Sequence, residues 1–191
     1  MSSRVHAYSA HIDSLVGDAE PEVFVAPSSR PDVPGVTSLR YTGLPNRGMA
    51  TSITYGVSLV PRAGRESPET IELCMCVRSP DAIWSRVLGY LGEQLRGVCP
   101  FVYGNTIDFG ERIAPDTEMT AFFVFASTVI ERADAIGIDV SEPCLAGTDL
   151  ITIQGMYPIH EVERQFINER GLDAFWNEVW DTYDVTRRPA V

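Results

Sequence analysis

The 191 residues carry 26 acidic side chains against 15 basic ones, a net charge of −11, and 45% of the residues are apolar. That is ample apolar material for one domain with a core, while an anionic field of this size disfavours nucleic acid, whose phosphates need clustered cations. All 15 cations are arginine, so there is no P-loop lysine, no kinase strand lysine and no Schiff-base amine, and those reaction classes fall away.

In chain order, Val5, Tyr8, Ile12, Leu15 and Val16 recur at helical spacing and predict an amphipathic helix that stops near Gly17. Glu22 to Ala26 reads as a short extended piece, Ala26 to Gly35 as a loop of prolines and serines, and Val36 to Thr42 as a weak strand. Two segments alternate with period two. Ser52 to Leu59 sets Ile53, Tyr55, Val57 and Leu59 on one face, and Thr70 to Arg78 does the same with Ile71, Leu73, Met75 and Val77. The short connection Val60 to Glu69, with Pro61, Gly64 and Pro68, predicts an antiparallel pair.

Ser79 as N-cap and Pro80 at the first helical position open the strongest helix. Trp84, Val87, Leu88, Leu91 and Leu95 form its stripe, and Gly97 ends it. Gly89 and Gly92 inside it each cost about 1 kcal/mol against alanine, an expense that close packing on a sheet offsets. Phe101 to Phe109 reads as extended with a turn at Gly104-Asn105. Met119 to Ala126 reads as a strand buried on both faces, Ile136 to Thr148 as irregular, and Leu150 to Tyr157 as a strand, since Tyr157 precedes Pro158. Ile159, Val162, Phe166 and Ile167 predict a helix up to Gly171. Leu172, Phe175, Trp176, Val179, Trp180 and Tyr183 predict a final one. Strands in a run, with helices at both ends and one in the middle, give an α+β fold with a mostly antiparallel or mixed sheet and helices packed on it.

No constellation carries catalysis. Cys74 and Cys76 share a strand face with Cα atoms about 6.6 Å apart and parallel side chains, poor for a disulfide and two ligands short of a zinc site. Buried thiols packed as small hydrophobes are the expectation. His6 and His11 lie about 140° apart around a helix. His160-Glu161 opens like a zincin helix, but Arg164 stands where the second histidine belongs, so His160 reads as a capping or surface residue. Gly56-Val57-Ser58 is no nucleophile elbow, because position 60 is Val60. The expectation is therefore no catalytic residue, no cofactor and no metal. Four cysteines, no secretory signal and no apolar run long enough for a bilayer point to the cytoplasm and away from membranes. The acidic residues of the C-terminal helices, Glu161, Glu163, Glu169, Asp173, Glu178, Asp181 and Asp184, are either a solvated face or a docking surface for a basic protein.

The order of these segments resembles the suppressor-of-fused domain family. Ser52 to Ser58 is similar to its strand ending in a Gly-hydrophobic-Ser step, and Ile71-Glu72-Leu73 to the Glu-Leu strand that follows. Trp84, Leu88 and Leu91, then Gly104 to Ile107, resemble the next block. Gly155 to Ile159, with Glu163, Gly171 and Phe175, resembles the closing one. The likeness covers roughly Ala50 to Trp176 within one expected domain spanning 1–191, whose residues 1–35 supply the N-terminal helix and the Pro/Ser loop.

The resemblance implies a mixed α/β fold without enzymatic activity. Animal members of the family bind Hedgehog-pathway transcription factors by capturing an extended peptide, and they carry a second domain that would begin where this chain ends. Leu59 replaces an aspartate that commonly follows the Gly-hydrophobic-Ser step. Bacterial stand-alone members look like immunity proteins that neutralise toxins encoded next door, which suits a short, acidic, lysine-free chain. The alternatives are a regulatory scaffold or homo-oligomer pairing through Thr54, Ser58, Glu72 and Arg78, and a hydrolase or metal enzyme whose site is assembled from distant residues.

Overall fold

A computed structural model describes residues 3–60 and 69–191. The interior of the expected Val60 to Glu69 connection lies outside the described residues. The chain runs α1 (Ser3–Val16), β1 (Glu22–Ala26), β2 (Val36–Thr42), β3 (Ala50–Tyr55), β4 (Glu69–Val77), α2 (Ile83–Leu95), β5 (Thr106–Asp108) and β6 (Ala121–Ala126). It continues with α3 (Arg132–Ala135), β7 (Ile138–Asp139), β8 (Leu150–Ile159), α4 (Glu161–Arg170) and α5 (Leu172–Trp176).

The strands form one sheet in the order β1-β2-β3-β4-β8-β6-β5, with β7 also paired to β8. Every pairing is antiparallel except β4 with β8, which makes the sheet mixed. The expected antiparallel pair is β3 with β4, with Ile53 opposite Cys74. The period-two alternation sorts side chains to two covered faces. Leu73, Met75 and Val77 join Trp84, Leu88 and Leu91 under α2. Cys74 faces the other way, with Tyr8 and Ile12 of α1 and Ile53, Ile151 and Ile153. A third cluster, Phe123, Tyr157, Ile159, Ile167 and Phe175, seats α4 and α5. Phe122, Phe123 and Val124 are fully buried, as expected of a strand enclosed on both faces. The supposedly mixed face is enclosed as well. Thr54, Ser58 and Glu72 are buried, so they offer no surface for pairing with another copy.

Several boundaries differ from the sequence reading, and four of them have a tertiary reason. β3 stops at Tyr55 instead of Leu59, because Gly56 turns the chain at φ +125° and Val57–Leu59 coils into a 3-10 turn. A Cβ at position 56 would meet the Gly35 carbonyl oxygen and Val36 Cα at 3.1 Å. α2 starts at Ile83 and not at Ser79. The Ser79 hydroxyl donates to Asp116 and accepts from the Asp81 N–H, while the Asp81 carboxylate accepts from the Ile83 N–H at 2.9 Å.

β8 continues through Pro158 to Ile159, so Ile159 belongs to this strand and not to the expected helix, which starts at Glu161. Beyond Gly155 it pairs, among the described residues, only with β6, so the N–H that proline lacks is not needed by β4. α5 ends at Trp176, well short of Tyr183. Farther on, the Arg78 N–H takes the Tyr183 carbonyl at 2.7 Å and Val185 is buried in the α2-side core, so the chain is drawn out of the helix. His160 takes the N-cap position of α4, one of the two expected roles.

Gly89 and Gly92 face the sheet, as anticipated, but not equally. A Cβ on Gly92 would lie 2.8 Å from Val57 Cγ2 and 3.3 Å from Val36 Cγ1. One on Gly89 meets nothing closer than 3.5 Å. Both valines are stiff at χ1, so overpacking at position 92 outweighs the propensity gain. Gly92→Ala is expected to lower stability by about 1 kcal/mol or more. Gly89→Ala is expected to raise it by about 0.5 kcal/mol. Urea unfolding of the two variants checks the opposite signs.

Candidate protein-docking surface

The two family-like motifs meet in one buried structure. Glu72 of β4 is fully buried. Its carboxylate accepts from Thr54 Oγ1 at 2.6 Å, Ser58 Oγ at 2.6 Å and the N–H groups of Gly56, Val57 and Ser58 at 2.8, 3.4 and 3.1 Å. The sharp turn at Gly56 aims three successive N–H groups at one point, a concave anion site made of backbone. The partners in direct contact are hydroxyls and main-chain N–H groups. Arg4 reaches Ser58 Oγ at 3.0 Å and pairs with Asp149 at 2.7 Å, which ties α1 to the same turn. Burial, and after it the charge of Glu72, holds the Tyr8 phenol well above its usual range, so Tyr8 stays a donor to the Thr54 carbonyl at 3.0 Å.

Among the seven expected partner-binding acids, the fold separates one from the rest. Glu163 is fully buried, and it serves the interior. Its carboxylate pairs with Arg187, accepts the His160 N–H at 2.8 Å and accepts the Ala190 N–H at 2.8 Å. Glu161 is half-buried beside Arg164, which holds its carboxyl below the ordinary range. Asp181 pairs with Arg78 at 2.8 Å, and Asp184 accepts from the Thr186 N–H at 2.8 Å. Glu169, Asp173 and Glu178 lie exposed on α4, on α5 and just beyond it.

A groove that the sequence reading did not single out lies where α2 passes the opposite end of the sheet from β1. Tyr90, Leu91, Gln94 and Leu95 form one wall. Ile107, Asp108, Phe109 and Glu111 form the other, around about 310 Å³. Tyr90 is half-exposed and meets Phe109 edge-on at 6.5 Å, and Phe109 in turn meets buried Phe122 at 6.0 Å. β5 is the terminal strand on this side, so among the described residues only β6 pairs with it. An open strand edge beside an aromatic-walled groove, rimmed by two carboxylates, suits an extended polypeptide carrying an apolar side chain. Helix α4 adjoins it, because Thr106 bonds Asn168 of α4 and Arg164 lies 3.8 Å from Asp108. The one sequence signal for this groove was Tyr90, an aromatic off the Trp84–Leu95 stripe.

Among the described residues no group of three or more histidine, cysteine, aspartate or glutamate side chains could hold a metal ion, and no helix is long and apolar enough to cross a membrane. The four cysteines are free thiols, and Cys74 and Cys76 are buried.

The architecture is thus a mixed sheet with helices on both faces and an open edge flanked by a groove. The family model described as Suppressor of fused protein (SUFU) matches residues 33–188, so the chain belongs to that family. Among solved structures it is similar to a SUFU homolog from Neisseria gonorrhoeae FA 1090, with a TM-score of 0.73 and 14% identity over 97% of this chain and 96% of that one. A chain of the Sufu-Fu complex crystal structure gives 0.70 and 11% identity over 97% and 91%. Drosophila Suppressor of Fused gives 0.68 and 12% over 98% of this chain and 51% of that one, so this chain spans about half of the fly protein's length. No curated protein matches the sequence.

Removing the Glu72 acceptor strands buried donors. Glu72→Ala is expected to cost about 3 kcal/mol or more, and Glu163→Ala about as much by leaving Arg187 unpaired. Denaturant titration of both, with wild type as reference, checks this. Burial pushes the Cys74 thiol up to about 12 and the Cys76 thiol up to about 11, so thiolate is scarce at either. A disulfide reagent at mildly alkaline pH should modify exposed Cys144 first, with Cys74 reacting only as the protein unfolds.

Proposed function

We propose that this chain is a protein-binding domain with no catalysis of its own, whose role is to neutralise a cognate toxin encoded beside it. The carrying observation is the groove between α2 and β5, lined by Tyr90, Leu95, Ile107 and Phe109, next to the edge of β5 that no described strand covers. The fold likeness to a chain crystallised in the Sufu-Fu complex supports the reading, as does the absence of lysine chemistry throughout the sequence. A bound segment extends the sheet from β5 and sets an apolar residue into the groove. Asp108 and Glu111 receive basic or hydrogen-bonding neighbours on that segment.

The acidic residues Glu161, Glu169, Asp173, Glu178, Asp181 and Asp184 act as a steering field for a basic partner, consistent with a net charge of −11. Buried Glu163 takes no part in the contact. Free thiols throughout accord with a cytoplasmic protein, the compartment where an immunity protein meets its target.

Co-purification of the tagged chain with the product of the neighbouring gene tests the reading, together with growth protection on co-expression. Tyr90→Ala is expected to weaken the complex by about thirtyfold, the loss typical of an aromatic anchor. Combined reversal of Glu169, Asp173 and Glu178 to lysine should slow association about tenfold at low salt and far less at high salt. Full affinity in Tyr90→Ala would remove the groove from the interface, and failure to bind or protect against any neighbouring toxin would remove the immunity role.

A further inference from the structure

The other end of the sheet is β1, and among the described residues only β2 pairs with it. Natural proteins guard such edges with short strands, charge, proline, bulges or cover; on β1 the prolines stand just outside the strand and its one charge is at the end, which leaves the centre, Val23 to Val25, unguarded. Val23 and Val25 are 59% and 62% exposed on one face. Their neighbours across β2 are Leu39 and Thr37, so the apolar strip runs inward toward the α1 core, which includes Leu39. On the opposite face the one charge of the strand, Glu22, is already paired with Arg40 at 2.8 Å, and Phe24 lies under Arg86 at 4.4 Å. Pro21 and Pro27 bracket the strand.

We propose that β1 is a homodimerisation edge, on which a second copy of the chain lays its own β1 antiparallel about a two-fold axis at Phe24. The strand is self-complementary in that register. Val23 stands opposite Val25 of the second copy, twice over, and all four valines share one face, because directly opposed residues point to the same side. Glu22 stands opposite Ala26 of the second copy, so no two carboxylates confront each other despite the net charge of −11. Phe24 stands opposite Phe24 of the second copy at the axis, each ring under its own Arg86 at 4.4 Å, while Glu22 stays paired with Arg40 within each copy, so the valine strip and not charge carries the pairing.

Alternative registers are poorer. A slip of one residue sets Val23 or Val25 against Phe24, and a slip of two sets one of them against Pro21 or Pro27. Depending on which residues of β1 turn their main-chain groups outward, the pairing adds about four to six hydrogen bonds. Both copies leave the β5 edge and its groove free, so the dimer and the proposed partner complex use opposite ends of the sheet. The inference does not rest on the toxin reading.

Sedimentation of the purified chain over a dilution series tests it without any partner present. The wild type is expected to reach twice 21.1 kDa, that is 42.2 kDa. Val25→Lys and Val23→Lys each place a cation in the valine strip and should raise the dimer dissociation constant about tenfold or more. Val179→Lys, at a valine that is 98% exposed and remote in sequence from β1, serves as control and should leave it unchanged. Far-UV circular dichroism identifies any variant that has lost its fold. A wild type that stays at 21.1 kDa throughout overturns the proposal. So does a dimer that both natively folded β1 variants leave intact.

Discussion

Glu72 meets three consecutive backbone N–H groups and two hydroxyls in the interior of the sheet. A carboxylate taken from water is tolerated only where its lone pairs are met, and here they are met by the turn that ends β3. The cost of burying the anion and the cost of an irregular turn with unpaired donors cancel against each other. The same turn places Val57 against Gly92 of α2 and gives Arg96 of the segment after α2 the Gly56 carbonyl at 3.0 Å. Through Ser58 it also reaches Arg4 of α1. Helices on both faces of the sheet are therefore indexed to one carboxylate.

Two further acids repeat the device. Glu93, buried in α2, pairs with Arg96 at 2.7 Å and accepts from the Ser29 N–H and hydroxyl at 2.9 and 3.0 Å. It fastens the Pro/Ser loop that follows β1. Glu163 fastens the C-terminal segment through Arg187 and Ala190. Each acid holds a stretch that has no regular hydrogen-bond ladder of its own. Not all of the acidity is a surface property. Glu72, Glu93 and Glu163 are interior, and the field available to a partner comes from the others.

The mixed sheet has two ends of different character. At β5 the strand is three residues long and lies beside an aromatic groove with carboxylates on its rim. At β1 it is five residues long, bracketed by prolines and carrying exposed valines. The proposed partner and the proposed second copy are assigned to these ends by that difference, a groove for an unlike side chain and a self-complementary strip for a like one.

Much of the fold was legible in residue order. Alternation in Thr70 to Arg78, the Trp84–Leu95 stripe and the apolar run Ala121–Ala126 specify their elements locally, because period and burial are properties of a short window. The likeness carried by Gly56-Val57-Ser58 and Glu72-Leu73 was legible too, as was the absence of lysine and the chemistry that goes with it. What required the tertiary structure was everything decided by partners distant along the chain. The end of β3 depends on Glu72, the end of α5 on Arg78 and Val185, and the burial of Glu163 on Arg187. The groove joins Tyr90 to Phe109 across the gap between α2 and β5. A sequence window reports the propensity of its own residues; which donor finds which acceptor across that distance is settled only when the sheet closes.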